Sequence, residues 1–305
     1  MAAEPIVYFD RYARTRKTER IYGEFWLRWA YGNPIGRLTV WLIAKRKLFS
    51  WYYGFKMNQR GSAGRVLQFI VDFEINADEF AKSAFDFKTF NQFFYRALKP
   101  GARPIDPGAR TAVFPADGRH LAFPDVDAAD GFYVKGSKFG LAELLGETAK
   151  GQPRPLTDRF TGGAMLISRL CPSDYHRFHF PVGGTPGEPR LLNGFLFSVN
   201  PIALRREIRY LVQNKRMVTL IESPVFGTVA LIEVGATNVG SILEVFEAGK
   251  GVEKGAEKGL FAFGGSCVIT LFEKGRIGFD ADIVDQSAAC VETYARMGDR
   301  LGAAP

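Results

Sequence analysis

Histidine is scarce in this 305-residue sequence: His120, His176 and His179 are all there are. Imidazole chemistry is therefore confined to three positions. Cysteine is equally rare, and Cys171, Cys267 and Cys290 form no Cys-x-x-Cys pair. That odd count excludes a disulfide scaffold and points to a reducing compartment with no structural zinc. There is no G-x-G-x-x-G and no Gly-Lys-Ser/Thr phosphate loop, which argues against a nucleotide enzyme. Long apolar runs are missing too. The longest charge-free stretches, Leu191–Leu204 and Gly259–Phe272, have 14 residues each, short of the ~20 needed to cross a bilayer. The N-terminus carries Glu4 and no continuous apolar core, so no secretory signal is expected there.

What is present is the balance of a globular protein, 47% hydrophobic and 24% charged. The charge is unevenly placed. Residues 1–60 hold twelve Lys/Arg against four Asp/Glu, which accounts for the whole net charge of +8. All four tryptophans (Trp26, Trp29, Trp41, Trp51) lie in this same segment. Ile21, Phe25 and Trp29 recur at i, i+4, i+8, and Leu38, Trp41 and Leu42 at i, i+3, i+4, the spacings of amphipathic helices. Three readings stand for this segment: a nucleic-acid surface, helices lying in the interface of an anionic membrane, or a helical hairpin with a solvated basic face. No nucleic-acid reading motif accompanies the charge, which puts that reading third.

Further along, Thr89 and Gln92 have capping-box spacing and open a short helix expected to end near Lys99–Pro100. From about residue 110 the pattern changes to short β-type runs between Gly and Pro. The expected strands are Thr111–Phe114, Ala164–Leu170, Leu191–Val199, Met217–Glu222, Thr228–Val234, Ser241–Phe246 and Phe261–Phe272. Val291, Tyr294 and Met297 suggest a helix over Asp285–Leu301. The fold class that follows is α+β: a helical N-terminal segment, 1–88, on a mostly antiparallel β-domain, 89–305, with a C-terminal helix.

Three features could carry chemistry. His176 and His179 sit three apart in CPSDYHRFHFP, a spacing that points to opposite faces of a strand but one face of a helical turn. No third ligand stands near them in the sequence, so no metal site is expected. Asp117 lies in the turn Pro115–Gly118. Gly264-Gly265-Ser266 heads an apolar run, where the Ser266 hydroxyl could attack the unhindered Gly265 carbonyl if a base took its proton. The ordinary alternatives are satisfied structural histidines, a common Asp-Gly turn and a glycine bulge.

Taken together and in order, PADG (115–118), DYHRFHFP (174–181), FSVNP (197–201), VGATNVGSI (234–242) and FGGSCVITLF (263–272) resemble the phosphatidylserine decarboxylase proenzymes. FKTFNQFFYRALKPGARPID (87–106) adds to the likeness, and ETYARMG (292–298) looks like the C-terminal extension of a longer bacterial-type subgroup. The residue after the serine is Cys267, where such proteins more often carry Thr or Ser. The resemblance implies a self-processing, pyruvoyl-dependent enzyme. Asp117, His179 and Ser266 match the family's self-cleavage triad, with Ser266 attacking Gly265, His179 as base and Asp117 orienting it. The products would be a β-chain, 1–265, and an α-chain, 266–305, beginning with a pyruvoyl group made from Ser266. Phosphatidylserine would bind that group as a Schiff base, lose carbon dioxide and leave as phosphatidylethanolamine, with His176 the candidate acid for reprotonation. The implied setting is a homodimer, peripheral on the cytoplasmic side of the cell membrane. The alternatives are a pyruvoyl decarboxylase of another amine, a serine hydrolase, or a non-catalytic membrane-binding module.

Overall fold

The computed structural model describes residues 5–149, 151–237, 242–262 and 266–305. In chain order its strands are β1 (Val7–Asp10), β2 (Thr15–Thr18), β3 (Thr111–Val113), β4 (Gly118–Phe123), β5 (Ala164–Leu170), β6 (Arg177–His179), β7 (Thr185–Pro186), β8 (Arg190–Leu192), β9 (Arg216–Ser223), β10 (Gly227–Val234), β11 (Ile242–Glu244), β12 (Glu257–Phe261), β13 (Ser266–Phe272), β14 (Gly278–Phe279), β15 (Glu292–Ala295) and β16 (Arg300–Ala303). The main sheet runs β2-β1-β15-β4-β5-β13-β10-β9-β7, with β8 also on β9. Two three-stranded sheets, β11-β12-β6 and β14-β16-β3, accompany it. Every pairing between these strands is antiparallel among the described residues except β1 with β15. The fold is therefore α+β and mostly antiparallel.

The centre of the main sheet is covered on both faces, which is why β5 and β13 are buried throughout and largely apolar instead of alternating. Cys267, Ile269 and Leu271 of β13 enter one core with Met165, Ile167 and Ile232. Val268 and Phe272 enter the other, with Leu166, Leu231, Phe178 and Phe261. Since side chains alternate along a strand, Ser266 shares the second face, the one on which β6 and β12 lie.

The N-terminal segment combines a β-hairpin with helices. Residues 7–18 pair as β1 and β2 and join the main sheet through β15, where the sequence suggested only helix. Helices α1 (Glu24–Gly32), α2 (Pro34–Thr39), α3 (Lys47–Met57) and α4 (Arg65–Asp72) follow. All four tryptophans are exposed, Trp26 and Trp51 by about two thirds (67% and 66%), and Phe25, Ile35 and Phe55 are exposed beside them. That is far more aromatic surface than scattered apolar residues produce. No helix among the described residues is long and apolar enough to cross a membrane.

Other expectations are corrected by the structure. The Thr89 helix is α5 (Phe90–Phe94) and stops well before Lys99. Its cap is half of the expected box: the Thr89 hydroxyl accepts from the Gln92 amide at 3.2 Å, while the Gln92 side chain accepts from Lys88, not Thr89. Of Leu191–Val199 only the first residues are strand, in β8. The C-terminal helix over Asp285–Leu301 is wrong beyond residue 288. Helix α6 (Ala281–Ala288) ends, Cys290 takes a left-handed φ of 54°, and β15 and β16 follow, separated by Gly298 at φ 89°. A three-residue apolar spacing fits two short strands across a turn as well as a helix.

One buried ionic cluster ties these parts together. Arg169 on β5, 2% exposed, bonds Glu292 of β15 at 2.6 and 2.8 Å and Glu19, just after β2, at 2.5 and 3.2 Å. Removing it would leave Glu292 buried without its cation and Glu19 with Arg119 alone, at 3.6 Å. Arg169→Ala is expected to cost about 3–5 kcal/mol, read as a lower midpoint in urea unfolding; a loss under about 1 kcal/mol would contradict this role for the cluster.

Candidate active site

Ser266 opens β13, fully buried, and pairs with Leu170 of β5. Gly264 and Gly265 lie outside the described residues, as does Asn238–Ser241 of the VGATNVGSI motif. The Ser266 Oγ stands 3.3 Å from Nδ1 of His176. The other ring nitrogen of His176, Nε2, is 2.8 Å from the Cys171 carbonyl oxygen. That oxygen only accepts, so Nε2 carries the proton and Nδ1 is the bare nitrogen facing the hydroxyl. The ring also stacks on Phe94, with centroids 3.8 Å apart.

His179 is placed differently. His176 and Phe178 face the main sheet, where Phe178 joins the core; His179, of opposite parity on β6, does not. Its Nδ1 lies 2.9 Å from the Gly255 carbonyl oxygen and so donates to it, leaving Nε2 to accept from the Tyr175 hydroxyl at 3.4 Å. Asp117 is held by Arg103, at 2.6, 2.9 and 3.0 Å, and accepts from the Met297 amide at 2.9 Å. Gly118 beside it is required by close approach, since a Cβ there would come 2.5 Å from the Arg169 carbonyl. The structure thus joins His176 to Ser266. It shows no hydrogen bond from Asp117 or His179 to Ser266 or to one another among the described residues. The Asp117 charge still reaches His179 through space.

Burial sets the charge state. It pushes His176 down to about 3, with the Cys171 carbonyl opposing and Arg96 adding to the fall. His179 is lowered mainly by burial, with the Gly255 carbonyl, Glu257 and Asp117 opposing. His120 is also pushed to about 3 by burial; it accepts from Ser168 and donates to the Ala295 carbonyl. Neutral imidazoles are what proton acceptance from a hydroxyl needs.

A cavity of about 530 Å³ opens beside this site, lined by Leu170, Cys171 and Pro172 on one side and by Tyr22, Trp26 and Tyr31 on the other. It thus runs from the exposed aromatic helices to the strand partner of Ser266. Sequence reading missed Cys171, Asp174, Tyr175 and Arg103. Cys171, Asp174 and Tyr175 were visible as neighbours of the histidines, but nothing in their spacing shows which way they point. Arg177, close in sequence, bonds Glu257 and the Tyr95 carbonyl at the rim.

The sequence profile of the phosphatidylserine decarboxylase family matches residues 90–303. The chain belongs to that family. Curated relatives carry the name phosphatidylserine decarboxylase proenzyme. One from Chlamydia muridarum is 43% identical over 302 residues, covering 99% of this chain and 98% of its own. One from Fusobacterium nucleatum is 39% identical over 302 residues, 99% of each chain. One from Clostridium kluyveri is 40% identical over 297 residues, covering 97% of this chain and 98% of its own. Family membership thus extends through the N-terminal segment as well as the β-domain.

The depressed histidines make a pH prediction. Between about pH 6.5 and 3 the unfolded chain binds protons at His120 and His176 that the folded chain refuses, so stability falls as pH drops through that window. Each contributes about 1.4 kcal/mol per pH unit. Urea unfolding from pH 7 to 4 should show a shallower fall in His120→Asn than in wild type; identical slopes would contradict the neutral, buried assignment.

Proposed function

We propose that this chain is a self-processing decarboxylase that converts phosphatidylserine to phosphatidylethanolamine and carbon dioxide, using a pyruvoyl group made from its own Ser266. Family membership and the proenzyme name of its relatives support the reading. The observation that carries it is a buried serine at a strand head with a bare imidazole nitrogen at its hydroxyl. In processing, the hydroxyl adds to the Gly265 carbonyl and the amide becomes an ester. Elimination then releases the Gly265 carboxylate and leaves dehydroalanine at 266, and water displaces its nitrogen as ammonia. The ketone so formed supplies the electron sink for decarboxylation. The residues present fit it: residue 266 is fully buried, with a bare imidazole nitrogen at its hydroxyl.

The resemblance gives removal of the Ser266 proton to His179, with Asp117 behind it, and proton delivery during turnover to His176. The 3.3 Å contact supports a second reading in which His176 performs both tasks. Substitutions separate them. Ser266→Ala should remain one chain on a denaturing gel and be inactive, where wild type gives 1–265 and 266–305. Under the first reading His179→Ala stays uncleaved and His176→Ala cleaves but decarboxylates about 10²–10⁴-fold more slowly. An uncleaved His176→Ala beside a normally cleaved His179→Ala moves the processing role to His176. An uncleaved wild type with full activity would refute the proposal as a whole.

The N-terminal helices fit attachment to the cytoplasmic face of an anionic membrane without spanning it. Exposed Trp26, Trp29, Trp41 and Trp51 suit the interfacial layer, and each nearby Lys or Arg adds about 1 kcal/mol at such a surface. The cavity between these helices and Leu170 could take part of an acyl-bearing substrate beside the strand partner of residue 266. Flotation with phosphatidylserine-containing liposomes should weaken as salt rises and after substitution of Trp26 and Trp51 by Ala; binding unaffected by both would reject this attachment.

A further inference from the structure

The loop between β5 and β6 is pinned more heavily than a surface turn requires, and the pins converge on the atom that orients His176. The Asp174 amide donates to the Cys171 carbonyl at 2.9 Å, while the Asp174 carboxylate accepts from the Cys171 amide at 2.6 Å. One residue thus holds both polar groups of Cys171. Behind it, Arg119 on β4 grips the Asp174 carboxylate at 2.5 and 2.6 Å. Arg96, just past α5, donates to the Ser173 and Asp174 carbonyls at 3.0 and 3.2 Å. Arg119 is itself backed by Glu19 at 3.6 Å and flanked by the rings of Tyr8 and Tyr294. Apart from Ser173, which is half-buried, these loop groups are buried, so water is a poor substitute for a lost partner.

The Cys171 carbonyl so fixed is the acceptor for His176 Nε2–H. Imidazole has two neutral tautomers, and which nitrogen carries the proton is set by the hydrogen bond the other atom makes. We propose that Asp174 is a positioning residue of this enzyme: by clamping Cys171 it fixes His176 in the tautomer with Nε2 protonated and Nδ1 bare toward residue 266. Without the clamp the carbonyl can turn away, and the ring loses the one acceptor that selects the tautomer. Arg119 completes the device by keeping the Asp174 carboxylate charged and correctly aimed; burial alone raises its pKa, and Arg119 opposes that.

The proposal rests on residue 266 being the reacting position, yet its test does not. With three histidines in the chain, the ¹⁵N spectrum of the imidazoles can be assigned by single substitutions. In the Ser266→Ala protein, which stays one chain, His176 should appear as a single Nε2–H tautomer. Adding Asp174→Ala should give a mixture of tautomers or the reverse one, and Asp174→Asn, which keeps the size but drops the charge, a smaller shift in the same direction. In the otherwise wild-type protein, either change should lower kcat by about 10–100-fold, as loss of an outer-shell partner does, with KM nearly unchanged; Arg119→Lys should retain most of the rate. A parent protein whose His176 carries its proton on Nδ1 overturns the proposal outright. So does a folded Asp174→Ala, or Asp174→Asn where the alanine variant does not fold, with the His176 tautomer unchanged. Failure of wild type to cleave would instead sink the decarboxylase reading and leave the tautomer result standing.

Discussion

A hydroxyl with no access to water faces an uncharged imidazole 3.3 Å away at the first residue of a central strand, and the rest of the architecture is arranged around keeping that pair in place. In water a serine hydroxyl is a weak nucleophile. Here the bare nitrogen, the burial of the hydroxyl and the strand behind the serine favour the proposed attack on the preceding carbonyl. The same burial that makes the imidazole neutral also makes its tautomer matter, because a buried ring has few other partners to turn to.

The position of the serine in the sheet explains how such a chain could be cut and remain one molecule. Strand β13 is hydrogen-bonded along both edges, to β5 and β10. Strand β15, further along, lies between β4 and the N-terminal β1. Arg169 then links Glu292 to Glu19 across the proposed break, and Arg11 pairs with Asp280 and Asp282. Residues 266–305 are interleaved with the rest, not appended to it. The N-terminal hairpin therefore serves the catalytic sheet, while the helices after it face outward with their tryptophans.

Much of this was legible in the sequence, and the limits have physical causes. Ala164–Leu170 is a strand with the bounds its apolar run suggests, because a doubly covered strand has only one way to bury such a run. Residues 7–18 carry Arg14, Arg16 and Lys17 on an edge hairpin whose second strand is exposed, so only the short run Ile6–Phe9 marked it. The tail failed because Val291, Tyr294 and Met297 satisfy a helix and a pair of strands alike, and the left-handed Cys290 that decides between them has no signature in its residue type. At the site, the likeness to a family located Ser266, His176, His179 and Asp117. The partner of each ring nitrogen depended on backbone carbonyls, at Cys171 and Gly255, which no side-chain motif reveals. The choice between His176 and His179 at the serine is a matter of strand parity, and parity could be read only once β6 was known to be a strand.

The central claim is that residue 266 ceases to be a serine in the active protein. Intact mass of the 266–305 fragment from active, purified material, before and after borohydride treatment, tests this most directly. The account predicts a terminus without an amino group whose mass rises by one hydride and one proton on reduction. An active fragment that begins with an ordinary serine amine, unchanged by borohydride, would contradict it.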